Sequence, residues 1–137
     1  MKTYKQFIKE INHIDQSHKH GNLEGYVIDT DKEQLENYLD SQGVNKKIIN
    51  EIKSKFKKIG IIKNIEIDID QRNKKIGTKL LDNAIDSAYE NDAEAIVLIA
   101  DTSEDNKFDI VKWYQNYGFE KIGKTSNNDI LMLLADE

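Results

Sequence analysis

The chain has 137 residues, 38% hydrophobic and 33% charged, with a net charge of −5, which is the make-up of one globular domain large enough for a single core. It has no cysteine, which excludes disulfides, a thiolate zinc site and a cysteine nucleophile, and no run of about 18 apolar residues, which excludes a membrane-spanning helix. The charged first ten residues do not read as a secretory h-region, so cytoplasmic is the expected location. The acidic balance argues against nucleic acid as partner and suits a cationic one such as a lysine side chain or a polyamine.

In chain order, Tyr4, Phe7, Ile8, Ile11 and Ile14 recur at helical spacing and predict a short amphipathic helix over residues 3–14. Residues 15–24 are polar, contain Gly21, and read as a loop. Residues 25–30 predict a short strand. Asp31 is a candidate N-cap for a helix carrying Leu35, Tyr38 and Leu39 and ending near Gly43. Asn45 caps the next helix, with Ile48, Ile49, Ile52 and Phe56 on one face.

Residues 58–69 predict a long central strand, interrupted at Gly60 or near Asn64. A helix over residues 75–90 turns Leu80, Leu81, Ala84, Ile85 and Ala88 inward. Residues 95–100 are apolar on both faces, as in a buried strand. A helix over residues 106–117 and strands at 119–122 and 130–134 complete the chain. This alternation means an α/β fold with a crossover helix. No repeat or linker divides residues 1–137.

Two segments carry chemistry. In the first, an alternating strand runs through the basic stretch Arg72-Asn73-Lys74-Lys75-Ile76-Gly77 straight into the helix over residues 75–90. That aims free backbone N–H groups of a helix N-terminus at one point, with cations beside them, which is a phosphate or pyrophosphate site. It is not a P-loop, and only one glycine of a dinucleotide fingerprint is present. In the second, Trp113-Tyr114-Gln115-Asn116-Tyr117-Gly118-Phe119, a helix ends at a glycine and turns into a strand. Tyr114 alone reads as core packing beside Trp113.

In this order and spacing the two segments resemble the GNAT superfamily of acetyl-CoA-dependent N-acetyltransferases, over roughly residues 58–134. The family motif Gln/Arg-x-x-Gly-x-Gly/Ala is met by Arg72 at its first place and Gly77 at its last, with Lys75 at the first glycine. The later motif, Tyr-x-x-x-Gly-Phe, is met by Tyr114, Gly118 and Phe119. The resemblance implies a GNAT fold, a mixed and mostly antiparallel sheet flanked by helices, with residues 1–57 as the acceptor side and 58–134 as the acetyl-CoA side.

It also implies roles. The backbone of Arg72, Asn73, Lys74, Lys75, Ile76, Gly77 and Thr78 would cradle the pyrophosphate of acetyl-CoA. The pantetheine arm would lie along the central strand near Ile67 and Ile69, where that strand splays from the one at 95–100. Tyr114 would be the general acid for the departing thiolate. Lys75 departs from a glycine that serves close approach or unusual φ/ψ, and sets a cation there instead.

The acceptor, a primary amine of a protein, a peptide or a small molecule, needs a base. Glu66 and Asp68 share the strand face opposite Ile65, Ile67 and Ile69, and Glu66 is the first candidate. Protein or peptide is the favoured acceptor class. The alternative is a GNAT-fold binding or assembly module without acetyl transfer. A homodimer stays open.

His13, His18 and His20 lie in or near a polar loop and read as solvated, so no metal is expected. Lys53, Lys55, Lys57 and Lys58 read as a solvated helix face, or as a patch for an acidic partner or the CoA 3′-phosphate. The acidic stretch 101–109 reads as a capped polar loop or a receiver for a cationic acceptor. Only one strand is evident before residue 58, where the resembling family has about three.

Overall fold

The computed structural model describes residues 11–67, 75–102 and 109–135. In chain order these form β1 (Ile11–His13), β2 (Gln16–His18), β3 (Gly21–Asp29), α1 (Glu33–Ser41), α2 (Lys46–Lys55), β4 (Lys58–Ile67), α3 (Ile76–Glu90), β5 (Ala95–Ala100), α4 (Ile110–Gln115), β6 (Glu120–Lys124) and β7 (Ile130–Ala135). The strands make a seven-stranded sheet in the order β1-β3-β4-β5-β7-β6, with β2 pairing β3 off that path. All pairs are antiparallel except β4 with β5, which α3 joins as the crossover helix. The expected α/β fold, a mixed and mostly antiparallel sheet between helices, is the one found.

Helices cover both faces of the sheet. Leu35 and Leu39 of α1 and Ile49 and Ile52 of α2 pack with Ile28, Ile59, Ile61 and Val97. Leu80, Leu81, Ala84 and Ala88 of α3 pack on the other face with Val27, Ile62, Ile96 and Leu98. Alternation along β4 produces this split, since neighbouring residues point to opposite faces. Gly60 lets α3 come close, because a Cβ there would lie 3.2 Å from the Cβ of Ala88. Asn45 caps α2 as expected, its side chain accepting from the Lys47 N–H at 2.7 Å.

Several expectations are corrected. Residues 11–13 are strand β1, not the end of a helix, and residues 3–10 lie outside the described residues. Residues 15–24 hold β2 and the start of β3 rather than only a loop. Among the described residues three strands therefore precede residue 58, where the sequence shows one. The cap of α1 is Lys32, which gives no side-chain bond, and not Asp31. Of the helix expected over 106–117, residues 106–108 lie outside the described residues, and the described helix is Ile110–Gln115, ending short of 117.

β4 contains the irregularity expected near Asn64. Glu24 pairs with Asn64 and Gly25 with Ile62, so Lys63 is an extra residue on β4, a β-bulge. The bulge resets the alternation. Ile62 belongs to the α3-side core and Ile65 packs against the same core, although they are three apart. A bulge bends its strand and increases the local twist. The ladder of β4 with β5 runs from Ile59–Ala95 to Ile62–Leu98 and ends there. β4 continues to Ile67 and β5 to Ala100, so the two parallel strands part at their C-terminal ends.

Candidate functional site

A cleft of about 260 Å³ lies where β4 and β5 part. Ile62, Lys63, Asn64 and Ile65 line it from β4, and Leu98, Ile99 and Asp101 from β5 and the residue after it. Tyr38 and Gln42 close it from the α1 side, Ile110 and Tyr114 from α4, and Asp129 from the turn before β7. A crevice at the carboxyl ends of parallel strands is where open α/β sheets bind ligands.

Tyr114 is held by the short α4 and the turn after it. Asp109 caps that helix, accepting from the Lys112 N–H at 3.1 Å. Gly118 ends the turn at φ 103°, a left-handed backbone that glycine adopts without strain. The ring of Tyr114 lies 5.0 Å from Trp113 and 5.8 Å, edge-on, from Phe119. The residue is only 5% exposed, and burial pushes its phenol up to about 12. Its hydroxyl has no hydrogen-bond partner among the described residues. No fully buried side-chain oxygen or nitrogen among them lacks a partner, so this hydroxyl is open to the cleft that Tyr114 lines. The arrangement is a neutral phenol with a proton to give.

The helix that opens at the expected phosphate loop is α3, 15 residues long, with no acidic side chain in its first turn. Its first N–H groups, at Ile76, Gly77 and Thr78, have no acceptor within the helix. Its cap is Lys75, exposed and left-handed at φ 60° and ψ 22°. The lysine thus takes the conformation that the motif glycine adopts freely, at a cost of about 1–2 kcal/mol for a residue with a Cβ. Tyr117 ties this helix start to the Tyr114 turn, its hydroxyl donating to the Thr78 carbonyl at 3.5 Å. Ile69, Arg72, Asn73 and Lys74 lie outside the described residues. Ile67 ends β4, paired with Gly21.

Glu66 is exposed, and its Oε1 accepts from the Asn64 side-chain amide at 3.0 Å. Its neighbours Asn64 and Ile65 line the cleft, and Glu66 is not among the lining residues. Asp68 lies outside the described residues. Asp101 lines the cleft, and residues 103–108 of the expected acidic loop are outside the description.

Asp129 is a cleft residue that sequence reasoning missed. Its place depends on the pairing of β5 with β7, which no local pattern announces.

A second cavity, of about 550 Å³, opens beside the first, with His13, Asp15, Glu24 and Tyr26 among its walls. Lys63 lines both. Of the basic group on and after α2, Lys53 reaches Glu36 at 3.8 Å and Lys58 reaches Asp29 at 3.7 Å. His18 accepts from the His20 backbone N–H at 3.0 Å. Among the described residues no group of three His, Asp or Glu is arranged to hold a metal ion, and no helix is long and apolar enough to cross a membrane.

A sequence model described as "Acetyltransferase (GNAT) family" matches residues 9–119. No curated protein matches the sequence. Among solved structures, the chain resembles a PaiA N-acetyltransferase from Thermoplasma acidophilum in complex with coenzyme A, at 14% identity and a TM-score of 0.56 over 85% of this chain. It resembles Naa50 of Arabidopsis thaliana in complex with the bisubstrate analogue CoA-Ac-MVNAL, at 17% identity and TM-score 0.56 over 85%. It also resembles a polyamine N-acetyltransferase of Drosophila melanogaster that forms N-acetylagmatine, at 10% identity and TM-score 0.59 over 88%. At these identities the likeness is one of fold. The chain spans 54%, 66% and 72% of those three proteins.

Proposed function

The chain belongs to the GNAT acetyltransferase family, and on that premise we propose that it transfers the acetyl group of acetyl-CoA to a primary amine. The observation that carries this reading is the open Tyr114 hydroxyl in the cleft where β4 and β5 part, tied through Tyr117 to the start of α3.

The pyrophosphate of acetyl-CoA sits on the N–H groups that open α3, with Arg72, Asn73, Lys74 and Lys75 completing its cradle beside Ile76, Gly77 and Thr78. The glycine-like backbone of Lys75 supports this, since the chain keeps the motif's path there and adds an ammonium. The pantetheine arm lies along β4 past Ile62, toward Ile67 and Ile69, where β5 no longer pairs with that strand. This edge offers it backbone hydrogen bonds in the manner of an added strand. A β4 N–H polarises the acetyl carbonyl.

The acceptor nitrogen attacks that carbonyl directly. The N–C bond forms, the C–S bond breaks, and the sulfur takes its proton from Tyr114. An acceptor that arrives as ammonium first loses one proton to water, with Glu66 as the relay base behind Asn64, and the proton that the nitrogen loses on acetylation passes through water to the Tyr114 phenolate and restores the acid. The products are the N-acetylated amine and CoA thiol.

The acceptor is a protein or peptide amine or a small amine. Among structures of like fold, one holds a peptide bisubstrate analogue and another forms N-acetylagmatine, which supports the amine and not one class of it.

The test is amine-dependent release of CoA thiol from acetyl-CoA, run with native protein and Tyr114→Phe. Turnover that falls about 100-fold or more in the variant, with acetyl-CoA still bound, supports the reading. Binding of acetyl-CoA without turnover on any amine favours the binding or assembly module.

A further inference from the structure

A primary amine of the chain itself stands in the cleft. Lys63, Tyr38 and Tyr114 all line the space of about 260 Å³ where β4 and β5 part. The Lys63 ammonium lies over the Tyr38 ring, 5.8 Å from its centroid, where the face of an aromatic ring attracts a cation. The Tyr38 ring in turn packs edge-on against Tyr26, with 6.5 Å between centroids.

The backbone explains why a lysine tip reaches this place. Lys63 is the extra residue of the β4 bulge, between Ile62, paired with Gly25, and Asn64, paired with Glu24. Ile62 and Ile65 face the α3-side core. Tyr38 belongs to α1 and packs with the core on the opposite face, so the Lys63 side chain is directed to the α1 side of the sheet. The residue is exposed. Among the described residues, the ion pairs of lysines engage Lys46, Lys53 and Lys58 and not Lys63. A cation–π contact at an exposed site is a weak tether, and the ammonium is carried on a flexible four-carbon stem. Its tip can therefore swing within a cleft of this size.

We propose that Lys63 is itself an acetyl acceptor: with acetyl-CoA bound and no other amine in the cleft, the protein acetylates its own Lys63. This rests on the acetyl-transfer reading and adds a modification site within the same cleft. A thioester that runs along β4 past Ile62 arrives beside the next residue of that strand. Holding both reactants in one cleft makes the step intramolecular. The Lys63 ammonium first loses one proton to water. Its nitrogen attacks the acetyl carbonyl, the N–C bond forms, the C–S bond breaks, and the sulfur takes its proton from Tyr114. The proton that the nitrogen then loses passes through water to the Tyr114 phenolate. The products are Nε-acetyllysine and CoA thiol. Acetylation removes the charge and with it the cation–π contact, so the Tyr38 ring loses its cation. Amide resonance makes the product a poor acetyl donor, so acetylated Lys63 is an end product and not an intermediate on the way to other amines.

The experiment incubates the full chain with acetyl-CoA and no amine, as native protein, Lys63→Arg or Tyr114→Phe. Intact-mass spectrometry and peptide mapping follow the acetyl groups. Calorimetry checks that acetyl-CoA binds, and matched melting curves check that each variant is folded. A parallel sample contains 1,4-diaminobutane or a peptide with a free N-terminus. Lys63 is expected to gain one acetyl group ahead of every other lysine, at a rate per molecule that does not change with protein concentration. Tyr114→Phe should slow this gain about 100-fold or more. Lys63→Arg should bind acetyl-CoA and stay unlabelled over the time in which the native chain takes one acetyl. Acetyl groups spread evenly over the lysines, a Lys63 rate that rises with protein concentration, or the same rate in Tyr114→Phe overturns the proposal. No acetyl on Lys63 with acetyl-CoA bound also overturns it, and acetylation of the added amine in the parallel sample then leaves acetyl transfer standing. Failure of acetyl-CoA to bind overturns both.

Discussion

Replacing Lys75 by glycine and, separately, by alanine tests the phosphate loop through its backbone. Lys75 caps α3 at φ 60° and ψ 22° with no side-chain capping bond. A residue with a Cβ is disfavoured in this region by about 1–2 kcal/mol. Glycine removes that cost but makes the unfolded chain more flexible, which takes back about 0.4–1 kcal/mol. Both replacements also remove a cation from a helix N-terminus, where it opposes the dipole by about 0.3–1 kcal/mol. The charge effect is common to both variants, so their difference isolates the backbone. Lys75→Gly should be more stable than Lys75→Ala by about 0.5–1 kcal/mol, or about 2–4 °C in melting temperature. Urea unfolding followed by circular dichroism measures this, with equal m values required for the comparison. Alanine as stable as glycine would refute the left-handed cap. In CoA binding the two variants should lose alike, by a few-fold each, because each lacks the ammonium next to the pyrophosphate.

Other outcomes follow from the same geometry. Tyr114→Phe should cost little stability below pH 10, since the hydroxyl has no partner among the described residues. The phenol is about 12 in the fold against an ordinary value of 10.0. Its folded value is the raised one, so its contribution is complete below pH 10 and is lost as pH climbs from 10 to about 12. That loss is roughly 2–3 kcal/mol. The variant should lack this part of the alkaline destabilisation, which unfolding curves at pH 9 and pH 11.5 compare. Gly25→Ala places a Cβ 2.6 Å from the Ile61 carbonyl oxygen and 3.1 Å from Ile14 Cγ1. It should destabilise by about 1–2 kcal/mol in urea, and no loss would mean the bulged pairing of β3 with β4 is looser than described. Asn45→Ala removes the cap of α2 and should cost about 1 kcal/mol in the same assay.

The second half of the chain was legible because its elements are long and periodic. The helix over 75–90 and the strand at 95–100 carry enough apolar positions to declare their period, and their bounds differ from the structure by a residue at most. The first half was not. β1 and β2 have three residues each, two of them histidines, too short and polar for alternation to show. Ile14 continued a helical spacing from Tyr4, yet it is buried beside Gly25 in the sheet, so tertiary packing overrode a local pattern. Tyr114 was legible by its spacing from Gly118 and Phe119. Its openness to the cleft was not, because that depends on where β4 leaves β5. The bulge at Lys63 was half legible, as a break near Asn64, while its effect on Ile62 and Ile65 required the register with β3. Asp129 was illegible because its partner Thr102 lies 27 positions away along the chain.

The most direct test of the account is calorimetric titration of the full chain with acetyl-CoA and with CoA, native and Arg72→Ala. The account predicts micromolar binding of both, weakened about tenfold in the variant as one cation leaves the pyrophosphate. No heat of binding at millimolar cofactor would contradict it. The cleft between β4 and β5 would then belong to a fold kept for a purpose other than acetyl transfer.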